Sequence, residues 1–320
     1  MLSDRFDALV DAHFDAKSEW PICKRIEIYK DKGMPKLTVT TNYYTDSVQF
    51  PLPDHSLHNK ILFRLLQIQY IDHSVMAFLR ANQQMWDNGT NLSLFIPASH
   101  TPDGQPIWDV FVREIWPTFS TNIRRLEFHD GDHLDNLRRL ISPTILTDLN
   151  QLISISSNVL MPDMTGDFDG PNATPTAGQV LSKWLHTPTK DGMPKKLYCR
   201  DQTFGKLVEW INNFKKKFLC AATSVRYKIQ FTVHAVPMSM VPFELVNERT
   251  NEKLLLTKAN EYKCDHHRWM INRCQIGETA AIQWDEENWE NFNTVQFMLS
   301  FYCIGPLSPP ATGQSSEKGV

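Results

Sequence analysis

The stretch Asn122-Ile123-Arg124-Arg125-Leu126-Glu127-Phe128-His129-Asp130, followed by Gly131-Asp132 and by Leu134, Leu137, Leu140 and Ile141, decides the reading of the chain. Its first half alternates apolar and polar positions, as a strand with one buried face does, and its second half places apolar residues at helical intervals of three and four. This is one strand–turn–helix unit. Such a unit cannot bury both its strand face and its helix stripe alone, so it needs copies of itself as neighbours.

Degenerate copies flank it. Residues 66–71 read as a strand, after which Asp72 caps a helix carrying Val75, Met76 and Leu79. Residues 92–96 are the next strand, and a Pro/Gly loop then leads to a helix with Ile107, Val110, Phe111 and Ile115 that stops at Pro117. A fourth strand covers 152–156. The leading positions Leu66, Leu92, Leu126 and Leu152 are spaced by 26, 34 and 26 residues, in or near the range of leucine-rich repeats. The expected fold is therefore α/β, a degenerate leucine-rich-like strand–helix array; the alternative is an ordinary α/β sheet with right-handed crossovers. Both make the strands parallel and put helices outside.

Working outward, residues 3–16 form a short amphipathic helix with Phe6, Leu9, Val10, His13 and Phe14 on one face. It is either the last helix of a larger unit or a helix docked on its own core. Residues 24–29 and 36–40 flank hairpin composition, and Pro51 and Pro53 mark 50–54 as a loop. After a Pro/Gly-rich loop at 161–178, the alternation resumes as helix 179–186, strand 196–199 and helix 204–219. From residue 225 the character changes to strands with antiparallel pairing, a β-rich C-terminal module, and 305–320 is a disordered tail. The expected domains are 1–16, 17–224, 225–304 and the tail.

At 320 residues, 42% of them hydrophobic, the chain can bury a sizeable core, and a formal charge of −3 provides no basic field for nucleic acid. Lys215-Lys216-Lys217 is explained by its place at a helix end. The six cysteines are dispersed and no run of residues is long and apolar enough to cross a bilayer, so we expect reduced thiols, an intracellular (cytoplasmic or nuclear) protein and no membrane. The sequons at Asn88, Asn91 and Asn172 are then incidental. Cys264, His266, His267 and Cys274 are the best metal candidates, but without a Cys-x-x-Cys pair they read as loop and core residues. No catalytic motif is present, and the acidic run Asp285, Glu286, Glu287 and Glu290 reads as a solvated helix face with Trp284 and Trp289 turned inward. We expect no enzyme, no cofactor and no metal.

The segment Val241-Pro242-Phe243-Glu244-Leu245-Val246-Asn247-Glu248-Arg249-Thr250-Asn251-Glu252-Lys253-Leu254-Leu255-Leu256, together with Trp269-Met270-Ile271-Asn272-Arg273-Cys274-Gln275-Ile276, resembles the F-box-associated proteins of plant-parasitic cyst nematodes. Residues 2–14 resemble the segment that closes the F-box in that family. Further matches lie at Trp116-Pro117, Leu140-Ile141-Ser142-Pro143 and Trp184-Leu185-His186-Thr187-Pro188. The resemblance implies a substrate-recognition subunit of a Skp–cullin–F-box ubiquitin ligase. Skp adaptor and cullin would be its partners, together with a target protein. It also implies that the chain begins inside the F-box, with Phe6, Leu9, Val10 and Phe14 as the remnant of the adaptor-binding helix. The competing reading is a stand-alone protein-binding or structural module with no ligase connection.

Strand alternation then places the recognition surface. If the apolar strand residues face the helices, Gln67, Gln69, Ser93, Phe95, Arg125, Glu127, Ser154 and Ser156 line the opposite, concave face. Phe95 is either an aromatic anchor there or a residue covered by the 97–106 loop.

Overall fold

The computed structural model describes residues 22–32, 34–40, 47–52, 62–83, 90–96, 106–158, 160–164, 175–199, 207–233, 240–258, 267–278 and 295–304. The chain runs β1 (Ile22–Asp31), β2 (Met34–Thr40), β3 (Ser47–Pro51), β4 (Leu62–Ile71), α1 (His73–Ala81), β5 (Thr90–Phe95) and α2 (Ile107–Val110). After α2 come a π-helical turn (Phe111–Ile115), α3 (Trp116–Phe119), a 3-10 turn (Ser120–Asn122), β6 (Ile123–Phe128), α4 (Asp132–Leu140), α5 (Ile145–Asp148) and β7 (Ser154–Ser157). The remainder is α6 (Ala177–Leu185), β8 (Lys195–Cys199), α7 (Leu207–Cys220), β9 (Tyr227–Val233), β10 (Phe243–Asn247), β11 (Glu252–Lys258), β12 (His267–Gln275) and β13 (Val295–Ile304). The fold is mixed α/β. The expected helix at 3–16, the tail at 305–320 and the acidic run with its two tryptophans lie outside the described residues.

Two compact units divide the chain differently from the expected domains. One comprises Met1–Asp87, Ile96–Thr118 and Val295–Val320, the other Asn88–Phe95 and Phe119–Thr294. No boundary falls near residue 225, because β9 pairs parallel with β8 and extends the same sheet. The change in sequence character there marks a change of pairing mode, not the edge of a core.

In the first unit the strands run in the order β13-β4-β1-β2-β3, with β13, β4 and β1 parallel and the β1-β2-β3 meander antiparallel. The expected hairpin closes at Asp31↔Met34, where Lys32 takes a left-handed φ of 49°. Phe50 and Pro51, read from sequence as a loop, end β3 instead. Only β2 pairs with β3 among the described strands, and an edge strand tolerates a proline that a central one does not. Helix α1 starts as expected: the Asp72 carboxylate accepts from the backbone N–H of Ser74 (2.9 Å) and Val75 (3.0 Å). Val75, Met76, Phe78 and Leu79 form its buried stripe. Pro117 does not stop the later helix, which continues to Phe119. Pro117 has no N–H to give to the preceding turn, and that turn is widened, with the Trp116 N–H reaching back to Phe111 O.

The second unit carries β10-β11-β12-β9-β8-β7-β6-β5. Strands β5 to β9 are parallel and lie in chain order, and β12, β11 and β10 add antiparallel beyond β9. Leu126, Phe128, Ile155, Leu197, Tyr227, Ile229, Phe231, Leu254 and Ile271 share one face and are buried. Helix α7 packs on that face: Trp210 meets Phe231 edge-on at 5.9 Å and Phe214 meets Tyr227 at 5.7 Å. Lys195 shares the face and stacks over Trp184 of α6 at 4.9 Å. A capping box starts α6, with Thr176 and Gln179 exchanging side-chain and backbone bonds. Gly178 is required there, since a Cβ would stand 2.9 Å from Met161 O.

One ion pair is sealed within this unit. Arg273 of β12 and Glu252 of β11 are 1% and 0% exposed, and the Arg273 Nε donates to Glu252 Oε2 at 3.1 Å. The other carboxylate oxygen accepts from the Val225 N–H and the Ser224 hydroxyl, both at 2.9 Å, while the guanidinium also donates to Thr223 O. Removing one partner of such a pair strands a buried charge, so Arg273→Met is expected to cost about 3–5 kcal/mol of unfolding free energy. Adding Glu252→Leu should recover much of it. Urea denaturation of the three proteins checks this, and a double variant as unstable as the single one would refute the pair as the source.

Candidate functional site

The other face of the second unit's sheet carries the polar half of each alternating strand. Strand register sets them in two rows. The first runs Asn91, Arg125, Ser154, Lys196, Lys228, Asn272, and the second Ser93, Glu127, Ser156, Tyr198, Gln230, Met270. Each residue sits beside its row neighbour on the adjacent strand, about 4.8 Å away.

Of the residues expected from sequence, Ser93, Arg125, Glu127, Ser154 and Ser156 are brought together here. Gln67 and Gln69 belong to the first unit, where Gln67 Oε1 accepts from the Arg25 guanidinium, and the eight residues are not described as one surface. The Phe95 side chain, like Phe6, Leu9, Val10 and Phe14, lies outside what the structure describes. Glu127 was expected to be exposed and is only 8% so; Ser156 is wholly buried. Arg125, Lys196 and Tyr198 are half-buried. Ser93, Ser154, Lys228, Gln230 and Asn272 are buried too, at 2–8% exposure.

Sequence reasoning missed Lys196, Tyr198, Lys228, Gln230 and Asn272. The signal was present: Lys196-Leu197-Tyr198-Cys199 and Lys228-Ile229-Gln230-Phe231 alternate as β6 does, and the same parity rule carried across them finds the rows. It also missed His129, which follows β6 and whose Nε2 lies 2.9 Å from the Ser93 hydroxyl. The hydroxyl–imidazole contact has the form of a nucleophile with its base. The Glu127 carboxylate, however, stands 4.0 Å from the same nitrogen, so it does not orient the ring from behind as a triad acid does. Ser93, His129 and Glu127 make a polar junction at the end of the second row.

Lys196 and Lys228 stand directly opposite each other on parallel strands, a like-charge pairing that sheets disfavour. Burial lowers the pKa of both; for Lys228 it is brought down to about 8, with the neighbouring Lys196 charge adding to the effect. Cys274, buried on β12 and paired in register with Lys253, has its thiol pKa raised, chiefly by burial. Cys264 and His266 lie outside the described residues. Among those described, no group of three or more His, Cys, Asp or Glu side chains could hold a metal ion. No described helix is long and apolar enough to cross a membrane. Comparison with protein-family models, with curated proteins and with solved structures finds no match for the chain.

The lowered Lys228 pKa has a thermodynamic sign. The folded state holds a proton there less tightly than the unfolded chain does, so the charged lysine opposes folding below pH 8 and the opposition fades between about pH 8 and 10.4. Lys228→Met should therefore be more stable than the parent at pH 7, by a margin that shrinks as the pH rises through that window. Paired urea titrations at pH 7, 8.5 and 10 measure the margin; one that grows with pH would contradict the assignment.

Proposed function

We propose that the chain is a protein-recognition module, the substrate-recognition subunit of a Skp–cullin–F-box ubiquitin ligase, and that the rowed face of the second unit receives the target. The observation that carries the recognition part is the continuity of the two polar rows across β5–β9 and β12, opposite a face buried against helices. The leucine-rich-like reading rests on strands laid side by side in chain order, with register-equivalent positions Leu92, Leu126, Ile155, Leu197 and Ile229 at steps of 34, 29, 42 and 32 residues, and arrays of that kind use their strand face for extended partners. The ligase part rests on the resemblance at residues 2–14 and 241–276. A stand-alone binding module is the second reading, favoured by the recognition face itself, which needs no ligase to function.

Two measurements separate these. Capture of Skp adaptor and cullin by the full chain supports the ligase reading; target capture without either supports the stand-alone module. For the face, a combined Asn91→Ala, Arg125→Ala and Tyr198→Ala variant should weaken capture of a target found by proximity labelling at least tenfold. Its stability is read alongside by urea denaturation, and capture is compared at equal folded fraction. Leu126→Ala, on the buried face, should instead cost about 2–5 kcal/mol of stability. Unchanged capture by the triple variant would remove the target from this face.

A further inference from the structure

Strand β10 ends the second unit's sheet. Among the described residues it pairs with β11 alone, so the backbone N–H and C=O groups on its outer side have no strand to meet them. Folds guard such edges with proline, an inward charge or a bulge. Pro51 does so at β3, whereas β10 reads Phe243-Glu244-Leu245-Val246-Asn247 with no proline inside it. Helix α7 packs against this strand. The Phe218 carbonyl accepts from the Asn247 amide (2.7 Å), and the Lys215 ammonium lies 4.0 Å from the centre of the Phe243 ring. Phe243, Leu245 and Asn247 therefore face the helix, and Glu244 and Val246 face the other way. Leu219, one turn beyond Lys215 on the same side of α7, is 52% exposed, and Val246 is 46% exposed. Phe243 and Leu245 are half-buried. The place of one further strand beside β10 thus has exposed apolar side chains on both of its faces and an unpaired ladder along its length.

We propose that β10 accepts an extended peptide of a partner protein as an added strand, with apolar side chains at Leu219 and Leu245 and a carboxylate at Lys215. This edge is distinct from the polar rows, and its test does not involve them. The ladder sets the class of ligand, because an extended backbone offers donors and acceptors at the strand repeat. Charge then selects a partner segment over a second copy of this chain. Among the described residues no carboxylate pairs with Lys215, and Lys216 beside it is exposed. A second β10 would offer the α7 side only Phe243, Leu245 and Asn247, and would bring two lysine-bearing helices towards each other. A partner strand with an acidic residue answers Lys215 instead. Running antiparallel to β10, it presents apolar residues opposite Asn247 and Leu245 and an acid opposite Phe243. On its other face an apolar residue meets Val246 and a cation meets Glu244.

The test uses the full chain and a fluorescent peptide with the core Leu-Val-Leu-Lys-Glu between Gly-Ser flanks, read by fluorescence anisotropy. It should bind the folded protein, and several-fold more tightly than the same peptide with Gln in place of Glu. Methylating the backbone nitrogens at alternate residues gives two further peptides, of which one should lose binding at least tenfold while the other keeps it, since only one set of N–H groups faces β10. Leu219→Asn should weaken binding several-fold. Lys215→Glu should weaken it too, and binding should return with a peptide carrying Lys in place of the final Glu. Urea denaturation checks that each variant is folded, and the methylated pair, which needs no variant, decides the question even where a substitution unfolds the chain. No binding by the parent protein, or an equal effect of the two methylations, overturns the added strand. Equal binding of the Glu and Gln peptides overturns the acidic partner. A parent dimer in sedimentation that Leu219→Asn dissolves assigns the edge to a second copy and overturns the partner peptide.

Discussion

The sealed pair between Arg273 and Glu252 holds the second unit together at the place where its sheet changes character. Two charges inside a core are tolerable only if every polar atom around them is answered. The answers come from Thr223, Ser224 and Val225, the segment joining α7 to β9, and from the Phe218 and Tyr227 rings, 5.2 and 5.8 Å from the guanidinium. The end of α7, the start of β9 and two antiparallel strands are thereby fixed to one another. Asn247 at the end of β10 adds a second tie. Its amide donates to Phe218 O (2.7 Å), which also accepts from the Ala221 N–H (3.1 Å), and to Ala221 O (3.0 Å) just past the end of α7, while its own oxygen accepts from the Arg249 N–H. An antiparallel group that could otherwise slide along β9 is given one register.

Register matters here because the two faces have opposite chemistry. A slip of one residue turns every side chain to the other side. In β7, Ser154-Ile155-Ser156-Ser157, such a slip would trade a single inward isoleucine for serines against the helices. The same constraint binds β12, where Arg273 and Ile271 point to the core and Asn272 and Met270 to the rows. The pair that secures the core thus also aligns the far end of the polar face, although no atom of it lies on that face.

The strand–turn–helix unit was legible because both of its periods are local: Arg125 to Phe128 alternates, and Leu134 and Leu137 fall on one helical face. The parity of Arg125, Glu127, Ser154 and Ser156 followed from the same rule. Their burial did not, because exposure depends on the long side chains of neighbouring strands, and which strands are neighbours is a long-range fact. The Arg273–Glu252 pair was illegible for a like reason. Twenty-one residues separate the partners, and only a β11–β12 register that sets Leu254 opposite Arg273 brings them within reach. Pro51 and Pro117 were read as breaks on the strength of a missing N–H. Both are accommodated where that donor is not needed, one at the end of an edge strand and the other beyond a widened helical turn.

The composition of the rows follows from the core more than from their own stability. Parallel strands in chain order put equivalent positions side by side, so residues separated by tens of positions in sequence become neighbours. The core face takes mostly apolar residues, with Lys195 and the Arg273–Glu252 pair as charged members, and the alternate positions carry the polar side chains, several of them buried as well: Lys228 and Gln230 are each 4% exposed and Ser156 is 0%. Lys196 and Lys228 occupy two such positions at a pairing that local energetics disfavours, and burial makes both harder to protonate. Register, not local preference, sets the two lysines side by side, and the cost of burying their charge falls on the folded state, in keeping with the Lys228 pKa brought down to about 8.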